Sequence, residues 1–213
     1  MPTDPRGARR DELLDHLLVL RCQAGDEAAF RRLFEQFRPR TLRYLAGLVG
    51  DDAEDVQQDV WLTVYRRLGQ LADPGAFVPW LYGVTRHRAI DFLRRRRRER
   101  ELLEGFATER LAGGDAADAA EADAAGAWEG AVLPDAVGAL PPALREVLQL
   151  RYRDGLSYGD IALVVGCAVG TVRSRLHNAK RRLQQVLEQE QERERGPADG
   201  APAGNPSTRG RES

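Results

Sequence analysis

The segment TVRSRLHNAKRR, residues 171–182, carries Arg173, Ser174, Arg175, His177, Asn178 and Arg181 without a single acid among them. No nucleophile and base are paired there; what these groups can do is hydrogen-bond to nucleic acid. Arginine fits the O6 and N7 acceptors of guanine, asparagine fits adenine, serine accepts or donates to either, and the remaining cations suit phosphates. The competing reading is a solvated basic face on a helical bundle. A second concentration, IDFLRRRRRER, lies at residues 90–100, and residues 86–100 hold eight arginines against Asp91 and Glu99. Just upstream, Trp80, Tyr82, Arg86, His87 and Arg88 interleave aromatic and basic groups. That pattern suits a single strand, whose bases stack while its phosphates are held by charge. Taken alone, the arginine run would serve equally well as a solvated cap on the negative end of a helix dipole. The aromatics could be core, and for Trp80 that is the expectation.

Composition narrows the chemistry. The 213 residues carry 32 basic and 33 acidic side chains, for a net charge of −1, so the basic patches are local and not a by-product of a basic chain. Residues 101–135 reverse the sign, with nine acids against Arg110 alone, and adjacent blocks of opposite charge belong to segments with different jobs. Phosphoryl transfer needs clustered carboxylates for a metal or a glycine-rich phosphate loop, and neither spacing occurs. The acids of 101–135 lack the rigid scaffold a site requires. Cys22 and Cys167 are far apart, with no Cys or His at ligand spacing, and read as two small buried thiols. No metal, cofactor or catalytic residue is expected, and the chain reads as a non-enzyme. With 42% hydrophobic residues it can build packed cores. It has no uncharged apolar run of membrane-spanning length, and Asp11, Glu12, Asp15 and His16 interrupt the first apolar stretch, unlike a signal peptide. The expected location is cytoplasmic, without membrane insertion.

The elements that must position these residues read as helices throughout. Ala29, Phe30, Leu33, Phe34 and Phe37 recur at helical spacing, and the pattern resumes after Pro39 with Leu42, Leu45, Leu48 and Val49 until Gly50. DDAED then opens another helix with a capping-box spacing from Asp51 to Glu54. Val56, Val60, Val64 and Leu68 repeat every four residues along it, and the opposite face carries Asp55, Gln58, Asp59, Thr63 and Arg66. After a loop with Pro74 and Gly75, a third helix starts on Phe77, Trp80, Leu81 and Val84. Its stripe then loses phase, since Arg88 falls on the apolar side while Ile90 and Leu93 do not, so the segment either bends or is covered on two sides. Residues 104–132, nearly devoid of large apolar side chains, form a flexible acidic linker. Beyond it, Pro142 and Gly155 bracket a helix, Ser157 and Asp160 cap a short one, and a longer helix follows from about residue 169. Two helices joined by a short turn with Gly166, with Ala162 small at their crossing and Val172 turned inward, make a helix-turn-helix.

DEAAFRRLFEQFRPRTLRYLAGLVGDDAEDVQQDVWLTVYRRL, FVPWLYGVTRHRAIDFLRRRRR and LPPALREVLQLRYRDGLSYGDIALVVGCAVGTVRSRLHNAKRRL, taken together, resemble the bacterial sigma-70 family in its extracytoplasmic-function group. GLSYGDIA followed by GTVRSRL is the specific part, matching region 4; the region 2 match is looser and longer. The resemblance implies an all-α protein of two small domains. Its boundaries would be an N-terminal extension 1–21, region 2 at 22–100, the linker at 101–133, region 4 at 134–188 and a disordered tail at 189–213. It implies a specificity subunit that binds core RNA polymerase and promoter DNA, reads the −35 and −10 elements and helps melt the latter. Asp55, Gln58 and Asp59 would dock on the coiled coil of the polymerase beta-prime clamp, and region 4 on the beta flap. Leu71, Ala72 and Asp73, in the loop 71–76, would receive a flipped base. Arg86, His87, Arg94 and Arg95 would follow the non-template strand, with His87 standing where the family usually has Asn. Arg173, Ser174, Arg175, His177, Asn178 and Arg181 would read the −35 element. Members of the group are commonly held by an anti-sigma factor, so a separate partner of that kind is expected.

A single helix-turn-helix discriminates only a few base pairs, at roughly 1–3 kcal/mol each. Tethering a second reader through polymerase and linker raises effective concentration and makes two modest contacts selective. The rival is a stand-alone helix-turn-helix repressor or activator, for which the arginine run after an aromatic helix has no use.

Overall fold

The computed structural model describes residues 5–107 and 133–194. Eight α-helices fill them: α1 Pro5–Gln23, α2 Glu27–Val49, α3 Ala53–Arg67, α4 Phe77–Ala107, α5 Leu133–Gly138, α6 Pro142–Leu148, α7 Tyr158–Val165 and α8 Val169–Glu194. No strand occurs among the described residues. The linker expected at 104–132 lies largely outside them, as does the tail beyond residue 194.

The first core forms where α2, α3 and α4 turn their apolar stripes on one another. Leu33, Phe37 and Leu45 of α2 meet Val56, Val60 and Val64 of α3, all buried. Pro39 lies inside α2, which continues past it to Val49 as one helix. A proline there removes one ladder hydrogen bond. Buried polar stitches cross the same turn: Gln57 of α3 donates to Arg38 O at 2.8 Å and to Thr41 Oγ1 at 3.1 Å. The Asp51 capping box does not form. Asp51 and Asp52 lie in a 3-10 turn, Gly50–Asp52, and α3 starts at Ala53 with no side-chain cap bond from Asp52. Gly50 leaves α2 with φ 64°, a conformation that favours glycine, and its N–H still closes on Ala46 O.

Of the two options for the out-of-phase third helix, burial on two sides is what occurs. Phe77, Leu81 and Ala89 of α4 enter the first core, while Tyr82 enters a second one. Tyr82 is therefore core and not a stacking platform. Arg88 sits on the apolar side because Thr63, buried on α3 instead of solvated, accepts from its Nε and Nη2 at 3.1 and 2.9 Å.

The second core is built by α6, α7 and α8 around Val147, Leu150, Ile161, Val172 and Leu176, with Tyr44 of α2 and Tyr82 of α4 as members. Its helix-turn-helix follows from local chemistry. Ser157 Oγ accepts from Asp160 N, and Asp160 Oδ2 accepts from Ser157 N. Gly166, at φ 69°, ends α7 with its own N–H and that of Cys167 both on Ala162 O. Val172 and Ala179 are wholly buried and fix the face that α8 turns inward.

Three segments extend past their expected limits. Residues within 1–21 include most of α1, whose Val19 is wholly buried in the first core. Helix α4 runs through Ala107 and α8 through Glu194. Cys22 and Cys167 are free but only half-buried.

Candidate nucleic-acid interface

With Val172, Leu176 and Ala179 inward, the 3.6-residue period puts Arg173, Ser174, His177 and Arg181 on the open side of α8, where all four are exposed; Arg175 and Asn178 are half-buried at its flanks. The Ser174 hydroxyl donates back to Thr171 O at 2.9 Å, which leaves its lone pairs to accept from a base. Lys180 stands 5.2 Å over the Tyr152 ring, and that tyrosine raises the lysine's pKa, so the ammonium keeps its charge beside the open face of α8. The first turns of such a helix are the part that reaches base edges.

A cleft of about 680 Å³ opens on the other domain, lined by Thr63, Leu71, Ala76, Trp80, Gly83, His87 and Arg88 among others. Leu71 and His87, far apart in sequence, thus meet at one site. Ala72 and Asp73 are exposed on the adjoining turn, where Asp73 Oδ1 accepts from Gly75 N at 2.9 Å and shapes the loop. Gln23 at the end of α1 donates to Leu68 O at 3.1 Å and Leu71 O at 2.8 Å, anchoring that loop. Trp80 is half-buried, with one side against the first core and another on the cleft. His87 is exposed and lies 3.2 Å from Asp91. Leu163 of α7, 74% exposed, completes the lining, so the helix-turn-helix borders this cleft.

Arg86 is not part of the cleft lining. Its Nε donates to Glu146 Oε1 of α6 at 2.7 Å. Burial works to lower the arginine's pKa, but the Glu146 carboxylate more than offsets it and keeps the guanidinium charged. Farther along α4, Arg94 and Arg95 are exposed. Arg95 reaches within 3.9 Å of Asp59, Arg96 pairs with Asp52, and Arg97 with Glu101 at 2.7 Å. Part of the arginine run is therefore set against the acidic side of α3. Asp55, Gln58 and Asp59 are all exposed on α3, with Leu62 and Tyr65 exposed beside them at 53% and 62%.

Among the described residues no cluster of His, Cys, Asp or Glu could hold a metal ion, and no helix is long and apolar enough to cross a membrane. The family model for sigma-70 region 2 matches residues 33–99, and that for sigma-70 region 4 matches residues 131–183. A curated relative, the RNA polymerase sigma-H factor of Pseudomonas aeruginosa, is 35% identical over 186 residues, covering 82% of this chain and 94% of its own. The chain belongs to the sigma-70 family, in its extracytoplasmic-function (ECF) group. This sigma factor is also 30% identical to the ECF sigma-E factor of Escherichia coli, over 80% of its own length and 92% of the relative's. Among solved structures, the sigma factor RpoE of Bartonella quintana, in complex with the anti-sigma factor NepR, matches at a TM-score of 0.55 and 25% identity, covering 75% of this chain and 96% of that one.

Sequence reasoning missed the residues of this sigma factor that position others. Gln23 holds the loop at Leu71, Thr63 holds Arg88, and Tyr44 and Glu146 hold Arg86. A solitary Gln at a helix end carries no signal. The glutamate was findable only by asking why an acid interrupts the apolar run of α6.

Proposed function

We propose that this ECF sigma factor divides promoter reading between two surfaces joined by residues 108–132. The open face of α8, with Arg173, Ser174, Arg175, His177, Asn178 and Arg181, reads the −35 element as duplex in the major groove. The cleft at Trp80, with Leu71, Ala72, Asp73 and His87 at its rim, takes an unstacked base of the −10 element. Arg86, Arg94 and Arg95 hold the phosphates of the same strand. Asp55, Gln58 and Asp59 dock on the clamp coiled coil of the polymerase beta-prime subunit, and the helix-turn-helix domain docks on the beta flap. The chain does no chemistry of its own: it supplies positioning and base capture, polymerase supplies catalysis, and both work in the cytoplasm. A separate anti-sigma protein holds it inactive, as NepR accompanies the Bartonella protein in its complex.

The observation that carries this reading is the pair of unlike sites. A convex basic helix face suits duplex, whereas a cleft beside an indole suits a base removed from the stack. A stand-alone duplex regulator needs the first and has no use for the second. Permanganate footprinting on a promoter, with core polymerase and the purified chain, tests it. Reactive thymines at −10 only when both are present are expected. Tight duplex binding without polymerase capture or strand opening would return the chain to the stand-alone reading.

A further inference from the structure

The domain matched by region 2 and the domain matched by region 4 are closed on each other through a polar contact. Glu146 of α6 is 8% exposed. Its Oε1 accepts from Tyr44 Oη of α2 and from Arg86 Nε of α4, each at 2.7 Å. Beside it, Gln149 Nε2 donates to Arg43 O at 3.1 Å. A Cβ at Gly47 would lie 2.7 Å from Gln149 Oε1, so α2 admits this amide only because residue 47 has no side chain. Tyr44 and Tyr82 pack at 5.3 Å between ring centres and close the apolar part of the contact.

This arrangement cannot read a promoter. Elements 25 base pairs apart by their own designations are separated by about 85 Å of duplex at 3.4 Å per step. A compact chain of this length has a radius of gyration of only about 17 Å. The intervening residues 108–132, at up to about 3.5 Å each, can reach about 90 Å, so the chain length permits separation that the closed contact forbids. We infer that Glu146, with Tyr44 and Arg86, is an intramolecular latch that holds the two domains together in the free protein and withholds Arg86 from DNA until polymerase docking draws them apart.

Three features suit a latch better than permanent glue. A buried ion pair adds little net attraction over an apolar isostere, because opening returns both charges to water. Its cation is one of the groups assigned to −10 phosphates, so a phosphate and Glu146 compete for one guanidinium. Closure also places Leu163 at the cleft meant for the unstacked base. The role of Arg86 rests on the function proposed above; the closure itself does not.

The test uses the full chain carrying Glu146→Arg, which sets two guanidinium groups against each other, and Gly47→Ala, which favours helix in α2 yet displaces Gln149. Small-angle scattering should show a larger radius of gyration for Glu146→Arg than for wild type. Without polymerase, its affinity for a single-stranded −10 oligonucleotide should rise about tenfold if the free protein is closed nine times in ten. Gly47→Ala should move both readings the same way by less. Run-off transcription at saturating protein should stay within about twofold of wild type, since docking opens the latch in either case. Unchanged radius and unchanged oligonucleotide affinity in a folded Glu146→Arg chain overturn the inference. If that variant loses helicity, Gly47→Ala decides by the same two readings. A wild-type holoenzyme that gives no transcript while Glu146→Arg still expands defeats the functional reading and leaves the latch standing.

Discussion

Lowering the pH from 7.5 to 5 should close the protein further, and Asp154→Asn should remove this acid's share of that response. Both carboxylate oxygens of Asp154 are buried without a hydrogen bond of ordinary geometry, next to the equally buried Tyr82 hydroxyl of α4. Burial pushes this acid up to about 6, against weaker downward pulls from Tyr82, Arg43, Arg153 and Arg40. In water the same group titrates near 3.9. The closed form therefore binds the proton more tightly than a form in which Asp154 is wetted. Its contribution is full below about 4 and is lost as pH rises through about 6. The whole shift of about 2 units corresponds to at most about 3 kcal/mol, and the interval from pH 7.5 to 5 to about 1.3 kcal/mol, nearly tenfold in the closed-to-open ratio. Fluorescence energy transfer between dyes on the two domains measures that ratio. Subtracting the Asp154→Asn profile removes the other titrating groups, the histidines included. A wild-type profile that opens on acidification, or one identical to that of Asp154→Asn, would refute the reasoning.

Other expectations concern the interface itself. Arg173→Ala should cost roughly 1–3 kcal/mol at particular −35 base pairs and little at others, read from competition binding across a substituted promoter set. Neutralising Arg94 and Arg98 together should weaken all sequences alike and flatten the logarithmic salt dependence by roughly 0.7–0.9 per lost phosphate contact. Thr63→Val, similar in shape but without the hydroxyl acceptor for Arg88, should lower stability by about 1–3 kcal/mol in urea unfolding. Thr63→Ser should restore most of it.

The helix-turn-helix was legible almost residue by residue, because its determinants are local: Ser157 and Asp160 are three apart, and Gly166 alone sets the turn. The same holds for Val56, Val60 and Val64, whose spacing states the buried face of α3 outright and continues to the buried Leu68 just past its end. Legibility ended where partners are distant. Glu146 and Tyr44 are 102 positions apart, and the apolar count of α6 gives no reason to seek a tyrosine on α2. The lost phase of α4 was a true signal, and its causes are distant partners: Thr63 of α3 accepts from Arg88, and a second core claims Tyr82. The arginine run was only partly legible because sequence shows charge and not its counter-charge: Asp52, in the turn before α3, meets Arg96, and Asp59, on α3, meets Arg95. Helix α1 escaped notice because leucines such as Leu13 and Leu14 remain exposed while Val19 does the packing.

The central claim, that two unlike surfaces on one sigma factor read two promoter elements, is tested most directly by mapping transcript 5′ ends. Core polymerase plus this protein would be run on fragmented genomic DNA. Start sites sharing both a −10 and a −35 sequence, with Arg173→Ala relaxing only the upstream one and His87→Ala only the downstream one, are the predicted result. Start sites that share a single element, or that change at both positions with either substitution, would contradict it.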